Sequence, residues 1–187
     1  MDSGADSALM GRFQDGDSAA FETLYLRYRG ALYRYFVRQA ARSAVDDLFQ
    51  DVWLGVIKGR ARYRPEAPFS AYLYRIAHNV LVDHYRREGR APQLTSAEHL
   101  ELPDPGAGPE RAFSQAELRA TISTALTDLP AAQREAFLLH EEAGLTLEQI
   151  ADVVGTGRET IKSRLRYALN RLRRDLLESE PADARQA

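Results

Sequence analysis

The sequence predicts an all-α protein in which two small helical domains are joined by a flexible linker. Apolar residues recur at steps of three and four on both sides of the chain's centre, and no segment shows the strict alternation typical of a half-buried strand. Between the two halves, the window 91–112 holds four prolines and two glycines with little apolar periodicity, as linkers do. A length of 187 residues with 44% hydrophobic residues suffices for one ordinary core or two small ones.

The first half predicts three helices. In the first of them, Asp17 or Ser18 is placed to cap the N-terminus, and apolar residues then follow at helical spacing. The second helix is opened by Ser43 and ends near Gly59, while the third runs from about Phe69 to Arg87, after two prolines.

The second half ends in a predicted helix-turn-helix. Ala151 is small enough for the second helix to approach closely, Gly155 suits the left-handed end of the first helix, and Ile161 fills the angle between them. Thr146 and Gln149 have the spacing of a capping box. This pattern is typical of DNA-binding helix-turn-helix motifs, with an ordinary corner between two helices as the alternative.

These elements divide the chain into five parts. Two further helices are predicted before the motif, over about 118–126 and 132–142. The acidic N-terminal segment is expected to be disordered or to shield the basic faces weakly, and the C-terminal tail is expected to fray. The predicted parts are a disordered acidic segment (1–17), a first domain (18–90), a linker (91–113), a second domain (114–178) and a disordered tail (179–187).

The composition excludes several kinds of site. Without cysteine the chain can form no disulfide, thiolate zinc site or iron–sulfur cluster, and this lack suits a reducing, cytoplasmic setting. No run of 18 apolar residues is present, and the acidic N-terminus is unlike a secretory signal, so we expect no membrane insertion. We also expect neither enzymatic activity nor a metal or cofactor.

Charge is unevenly distributed along the chain. Residues 58–90 hold eight bases and three acids (net +5), and residues 158–174 hold seven bases and one acid (net +6). The second block forms the outward face of the second motif helix, where cations and hydroxyls suit readout of the major groove. The predicted duplex-reading residues are Arg158, Glu159, Lys162, Ser163 and Arg166.

The first basic block interleaves aromatic and arginine side chains over residues 63–90. This combination suits single-stranded nucleic acid, because bases stack on aromatic rings while cations neutralise the backbone. The sequence is equally compatible with Phe69, Tyr72 and Tyr74 as core residues.

One predicted helix face in the first half is acidic. Asp47, Gln50 and Asp51 share it, either as a solvated helix N-terminus or as a docking surface for a basic partner. A metal-dependent nuclease that uses Asp46, Asp47 and Asp51 is a rival interpretation, but neither a histidine nor a suitably spaced partner completes a site.

Four motifs follow one another along the chain. They are DDLFQDVW (46–53), FSAYLYRIAHN (69–79) with a trailing DHYRR, LPAAQREAF (129–137), and LTLEQIADVVG (145–155) followed by TIKSRL. Together they resemble bacterial sigma factors of the extracytoplasmic-function (ECF) class. Their order and spacing make the resemblance specific over roughly residues 18–175, and it implies two helical domains called region 2 and region 4. Tyr72 stands where the family commonly has tryptophan.

The resemblance implies partners for region 2. The acidic helix would dock on the clamp of the largest subunit of core RNA polymerase through Asp47, Gln50 and Asp51. The loop before the third helix, and that helix, would recognise the melted −10 element of promoter DNA and take a flipped base into a pocket. The implied pocket residues are Tyr63, Arg64, Phe69 and Asn79, with Arg75, Arg86 and Arg87 on the strand's backbone.

The resemblance also implies roles for region 4. This domain would read the −35 element as duplex and meet the flap of the polymerase's second-largest subunit. An anti-sigma factor would be able to hold both domains at once. The alternative function is a stand-alone helix-turn-helix regulator that binds a symmetric operator without polymerase, and the aromatic and arginine residues of 63–90 speak against it.

Overall fold

The computed structural model describes residues 3–89 and 121–178. Within these ranges every regular element is a helix, which confirms the all-α prediction. The predicted linker, the first residues of the predicted second domain and the C-terminal tail lie outside the described residues. The helices are α1 (Ser3–Gln14), α2 (Ser18–Val37), α3 (Arg42–Gly59), α4 (Phe69–Arg87), α5 (described over 121–127), α6 (Ala131–Glu141), α7 (Leu147–Val154) and α8 (Arg158–Glu178), with a 3-10 turn (Arg60–Arg62) after α3.

The N-terminal segment forms α1, so the prediction that it is disordered was wrong. Met10 is fully buried and Phe13 is 6% exposed, three residues apart on one face of the helix. The buried carboxylate of Asp6 accepts a hydrogen bond from the Tyr28 hydroxyl and pairs with Arg27, both on α2. Burial of this apolar face offsets the entropy lost in ordering a short acidic segment.

Helices α2, α3 and α4 build the first domain around a core rich in aromatic rings. Asp17, one of the two predicted caps, accepts from two backbone N–H groups in the first turn of α2, at 3.0 and 3.2 Å. Ser43 does not cap α3 as predicted. The helix begins one residue earlier, at Arg42, and Ala41 holds the cap position without a side-chain hydrogen bond.

The described parts of the two domains pack against each other. Glu142, just after α6, pairs with Arg34 at 3.2 Å and also with Arg38 of α2. The Tyr35 hydroxyl donates to Glu135 of α6 at 2.8 Å. Buried apolar side chains from both domains form one contiguous cluster, so the structure is a closed arrangement of the two.

Burial shifts the pKa of two groups at this junction. Arg134 is fully buried and donates to the carbonyl oxygens of Arg38 at 2.7 Å and Leu129 at 3.2 Å. Removal from water lowers its pKa to about 10. For Tyr35, burial and then the nearby Glu135 carboxylate raise the pKa well above its ordinary value. Both side chains therefore keep their usual protonation, and these contacts, at neutral pH.

Candidate nucleic-acid interface

Helices α7 and α8 form the predicted helix-turn-helix. The Thr146 hydroxyl accepts from the Gln149 N–H at 3.3 Å, and the Gln149 side chain accepts from the Thr146 N–H at 2.9 Å, which confirms the capping box. Gly155 ends α7 with φ of +67°, a conformation that side chains with a Cβ rarely adopt. Ile161 is fully buried and Ala151 is 7% exposed, so both fill the corner as expected.

The outward face of α8 is open to solvent. Arg158 pairs with Glu148 of α7 at 2.5 Å and with its neighbour Glu159 at 2.9 Å, and Lys162 lies 3.7 Å from Glu159. The hydrogen bond with Glu148 is the main cause that raises the pKa of Arg158. Such exposed pairs are weak, because water and salt screen them, so these cations remain available to phosphates or base edges. Of the predicted residues, four are exposed and Ser163 is half-buried.

The loop before α4 rests on aromatic rings that belong to the core. Tyr63 is 3% exposed and Phe69 is fully buried. The two rings pack together at 6.4 Å, and Tyr28 lies 5.3 Å from Phe69. Neither ring presents a face on which a base could stack, so the structure corrects their assignment to a base pocket and places them beneath the loop as supports.

Tyr72 completes this aromatic layer, with its ring 5.0 Å from that of Tyr63. Its hydroxyl occupies space that a side chain at Gly59 would need, because a Cβ there would lie 2.5 Å from the hydroxyl oxygen. Burial raises the pKa of Tyr72. The missing side chain at Gly59 thus makes room for a tyrosine at this position.

The remaining residues predicted for the −10 element are exposed, but they do not form one group. Arg75, Asn79 and Arg86 lie at helical spacing on one face of α4. Arg75 donates to the carbonyl oxygen of Asp152 on α7 at 2.8 Å, so part of this face is engaged by the second domain. Arg64 is exposed on the loop and donates to the backbone oxygen of its neighbour Tyr63 at 3.2 Å.

The acidic face of α3 borders a groove with a volume of about 340 Å³. Asp47, Gln50 and Asp51 line it together with Leu54, which is 46% exposed although it is a large apolar residue. Arg87, predicted for the −10 element, lines this groove as well. This groove therefore combines carboxylates, an amide and an exposed apolar side chain on one surface.

The residues that sequence reasoning missed lie in α1. Gln14 and Ser7 hydrogen-bond to residues in and just after the 3-10 turn, 46 to 56 positions later in the chain. Local sequence patterns do not indicate contacts between residues that lie this far apart in the chain. The apolar spacing within α1 was the available signal for this helix.

The described residues offer no metal site, since no three histidine, aspartate or glutamate side chains come together in these two ranges. Asp46 instead accepts a hydrogen bond from the Tyr33 hydroxyl at 3.1 Å. The nuclease interpretation therefore gains no support. Among the described helices, none has the length and apolar character needed to cross a membrane.

Comparison with known proteins decides the family. The family models for Sigma-70 region 2 and Sigma-70, region 4 match residues 24–91 and 125–174. The ECF RNA polymerase sigma-E factor of Haemophilus influenzae is 30% identical over 168 residues, which cover 86% of this chain and 89% of that protein. The chain belongs to the ECF-class RNA polymerase sigma factors. The RNA polymerase sigma-H factor of Pseudomonas aeruginosa is 32% identical to this sigma factor over 170 residues, or 86% and 88% of the two chains.

Solved structures share the fold of this sigma factor. CnrH, in complex with the cytosolic domain of CnrY, superposes with a TM-score of 0.67 at 23% identity, over 94% of this chain and 99% of that one. The sigma factor RpoE from Bartonella quintana, in complex with the anti-sigma factor NepR, gives 0.66 at 22% identity, over 86% and 98%. The family-model matches, in turn, assign the first domain to Sigma-70 region 2 and the second to Sigma-70, region 4.

Proposed function

We propose that this sigma factor binds core RNA polymerase in the cytoplasm and directs it to promoters by reading two elements in two states. Region 4 reads the −35 element as duplex, and region 2 captures the −10 element as a melted single strand. The observation that carries the proposal is the presence of two separate, differently built cationic surfaces, one on a helix-turn-helix and one on α4 with its preceding loop.

Duplex reading is assigned to the first turns of α8. This helix presents Arg158, Glu159 and Lys162 to solvent at its N-terminal end, which is the part of a recognition helix that enters the major groove. Arginine suits guanine edges and lysine suits phosphates, while Glu159 suits the amino group of cytosine. Ser163 and Arg166 extend this face by one turn and are assigned to positioning contacts.

Single-strand capture is assigned to the exposed side chains around the loop before α4. Arg64 and Asn79 are the proposed contacts to an unstacked base, and Arg75 and Arg86 neutralise the strand's backbone. Arg75 also donates to Asp152 of region 4. Region 4 must therefore move away from α4 before this arginine reaches DNA.

Polymerase docking is assigned to the α3 groove. The carboxylates of Asp47 and Asp51, the amide of Gln50 and the exposed Leu54 offer charge, hydrogen bonds and apolar area on one surface. We assign this groove to the clamp of the polymerase's largest subunit, and the outer surface of region 4 to the flap of the second-largest subunit. None of the region 4 residues that the structure describes lines this groove, so the closed arrangement of the described parts is compatible with docking.

An anti-sigma factor is proposed as the regulator. The structure of the sigma factor RpoE with the anti-sigma factor NepR supports this, and CnrH with CnrY is a second protein of the same fold in complex with a partner. A partner that holds region 4 against α4 would keep Arg75 away from DNA.

Run-off transcription tests the proposal. Purified core polymerase is incubated with a fragmented genomic library, with and without this chain. We expect new transcripts that begin downstream of shared −35 and −10 sequences only when the chain is present. The Asp47→Ala/Asp51→Ala variant should lose them through weaker core binding, whereas Glu22→Ala, at an exposed acid on α2, serves as the control. Duplex binding by the chain alone, without new transcripts, would favour the stand-alone regulator instead.

A further inference from the structure

The loop that precedes α4 is held at its start by the last turn of α1. The Gln14 side-chain amide nitrogen donates to the backbone oxygen of Arg60 at 2.7 Å and to that of Tyr63 at 3.1 Å. One NH₂ group thus joins two carbonyls at either end of the 3-10 turn. Two further contacts connect α1 to the same turn. The Arg60 guanidinium lies 5.4 Å from the Phe13 ring, and the Tyr63 hydroxyl donates to Ser7 at 3.2 Å.

Helix α1 is itself firmly anchored at a distance from this turn. Its Asp6 carboxylate is fully buried and pairs with Arg27 and Tyr28 of α2, while Met10 and Phe13 enter the core. Displacement of α1 would expose Met10 and Phe13 to water and break the hydrogen bond between Tyr28 and Asp6, so the helix is costly to move. The position of α1 is therefore fixed by α2, and the turn is fixed by α1.

We infer that Gln14 is a positioning residue for capture of the melted −10 strand, and that α1 orders the loop before DNA arrives. The inference rests on the proposed function of region 2. Tyr63 is followed directly by Arg64, a proposed contact to the unstacked base, so the carbonyl held by Gln14 lies one peptide bond from that residue. A loop that is ordered in advance loses less conformational freedom when it binds, which strengthens binding without adding a contact.

The effect should be confined to single-strand capture. Both of these Gln14 hydrogen bonds lead to the turn, and neither reaches the acidic face of α3 or region 4. Substitution of Gln14 should accordingly leave core binding and −35 duplex binding unchanged. A merely structural role would instead lower all three together with the unfolding temperature.

The test uses holoenzyme made from core polymerase and the full chain, with a promoter found by run-off transcription. The probe is a fluorescent single-stranded oligonucleotide that carries the non-template −10 sequence. Gln14→Glu keeps the side chain's shape but turns a donor into a charged acceptor that faces two carbonyls. We expect it to bind the oligonucleotide about tenfold more weakly, with −35 duplex affinity and core affinity within about twofold of the wild type.

Two further variants distinguish a loss of loop positioning from a folding defect. Gln14→Met removes the donors without adding charge, and we expect a loss of about threefold to tenfold. Asp15→Asn, at the exposed neighbouring position, should match the wild type. Oligonucleotide binding within twofold of the wild type for both Gln14 variants would overturn the inference, as would an equal loss of duplex binding. A wild-type holoenzyme that fails to bind the oligonucleotide would instead refute the proposed function itself.

Discussion

Region 4 presents its proposed DNA-reading face on a single regular helix, whereas region 2 presents its face on a loop and helix that other elements hold in place. The α8 face is exposed, and its charges form ion pairs with residues of α7 and α8. The region 2 face depends on α1 beneath the loop and meets region 4 through Arg75. Under the proposed function, duplex reading therefore rests on one regular helix, whereas single-strand capture rests on a surface that several parts of the chain hold in place.

The largest effect we predict concerns the aromatic layer below the loop. Phe69→Ala removes a fully buried ring that contacts Tyr28, Tyr63 and Tyr72, and it should lower the free energy of unfolding by about 3–5 kcal/mol. Urea denaturation followed by circular dichroism measures this. Leu26→Ala, at a residue 51% exposed, is the control and should stay within about 0.5 kcal/mol. If the Phe69→Ala variant kept wild-type stability but lost promoter melting, Phe69 would belong to a base pocket and not to the core.

On region 4, a substitution on the exposed face of α8 should weaken DNA binding without lowering the free energy of unfolding. Arg158→Ala should weaken holoenzyme binding to the −35 duplex by about 1–3 kcal/mol and relax specificity at one base pair. Its exposed ion pairs should contribute little to folding. Competition with single-base variants of the element provides the measurement, with Arg173→Ala on the same helix as the control. A loss that is uniform across all sequences would assign Arg158 to the phosphate backbone.

Much of this contrast could be predicted from the sequence, and the reason is local geometry. The capping box at Thr146, the glycine at 155 and the apolar spacing of α8 all act within a few residues, so periodicity and capping chemistry reveal them. The acidic face of α3 was predicted for the same reason. In contrast, the interleaved aromatics of 63–90 fit a stacking surface and a core equally well, and only the packing of Tyr63 and Phe69 distinguishes the two.

The contacts of α1 and of the domain junction could not have been predicted in this way. Asp6 pairs with residues 21 and 22 positions away, and Glu142 pairs with an arginine 108 positions away. The acidic composition of this segment therefore predicts a disordered tail. In the structure, its apolar residues are buried and its Asp6 carboxylate is paired inside the core.

The junction between the domains gives a prediction of intermediate size. Glu142→Gln keeps the side chain's shape but removes the charge that faces Arg34 and Arg38. Because these arginines are partly exposed, we expect the closed arrangement to lose about 1 kcal/mol. Small-angle X-ray scattering of the full chain should then show a larger radius of gyration. Glu141→Gln, its exposed neighbour, is the control, and identical scattering from the two variants would contradict this role of Glu142.

The smallest predicted effects have opposite signs in the two regions. Gly155→Ala forces a Cβ into a left-handed conformation and should destabilise region 4 by about 1 kcal/mol. Gly11→Ala, inside α1 with open space around the new methyl group, should stabilise region 2 by about 0.5–1 kcal/mol. Thermal unfolding of each variant measures both. Destabilisation by Gly11→Ala would show that α1 is not a regular helix in solution.

Permanganate footprinting of a promoter bound by the holoenzyme tests most directly whether region 2 binds a melted strand while region 4 binds duplex. Permanganate oxidises thymines that are unstacked. The account predicts reactive thymines in the −10 element and protected, unreactive duplex at the −35 element. The reactivity of the −10 thymines should require core polymerase together with this chain, whereas the −35 thymines should stay unreactive with or without them. Protection of both elements as intact duplex, with no reactive thymine near the start site, would contradict the claim that region 2 captures a melted strand.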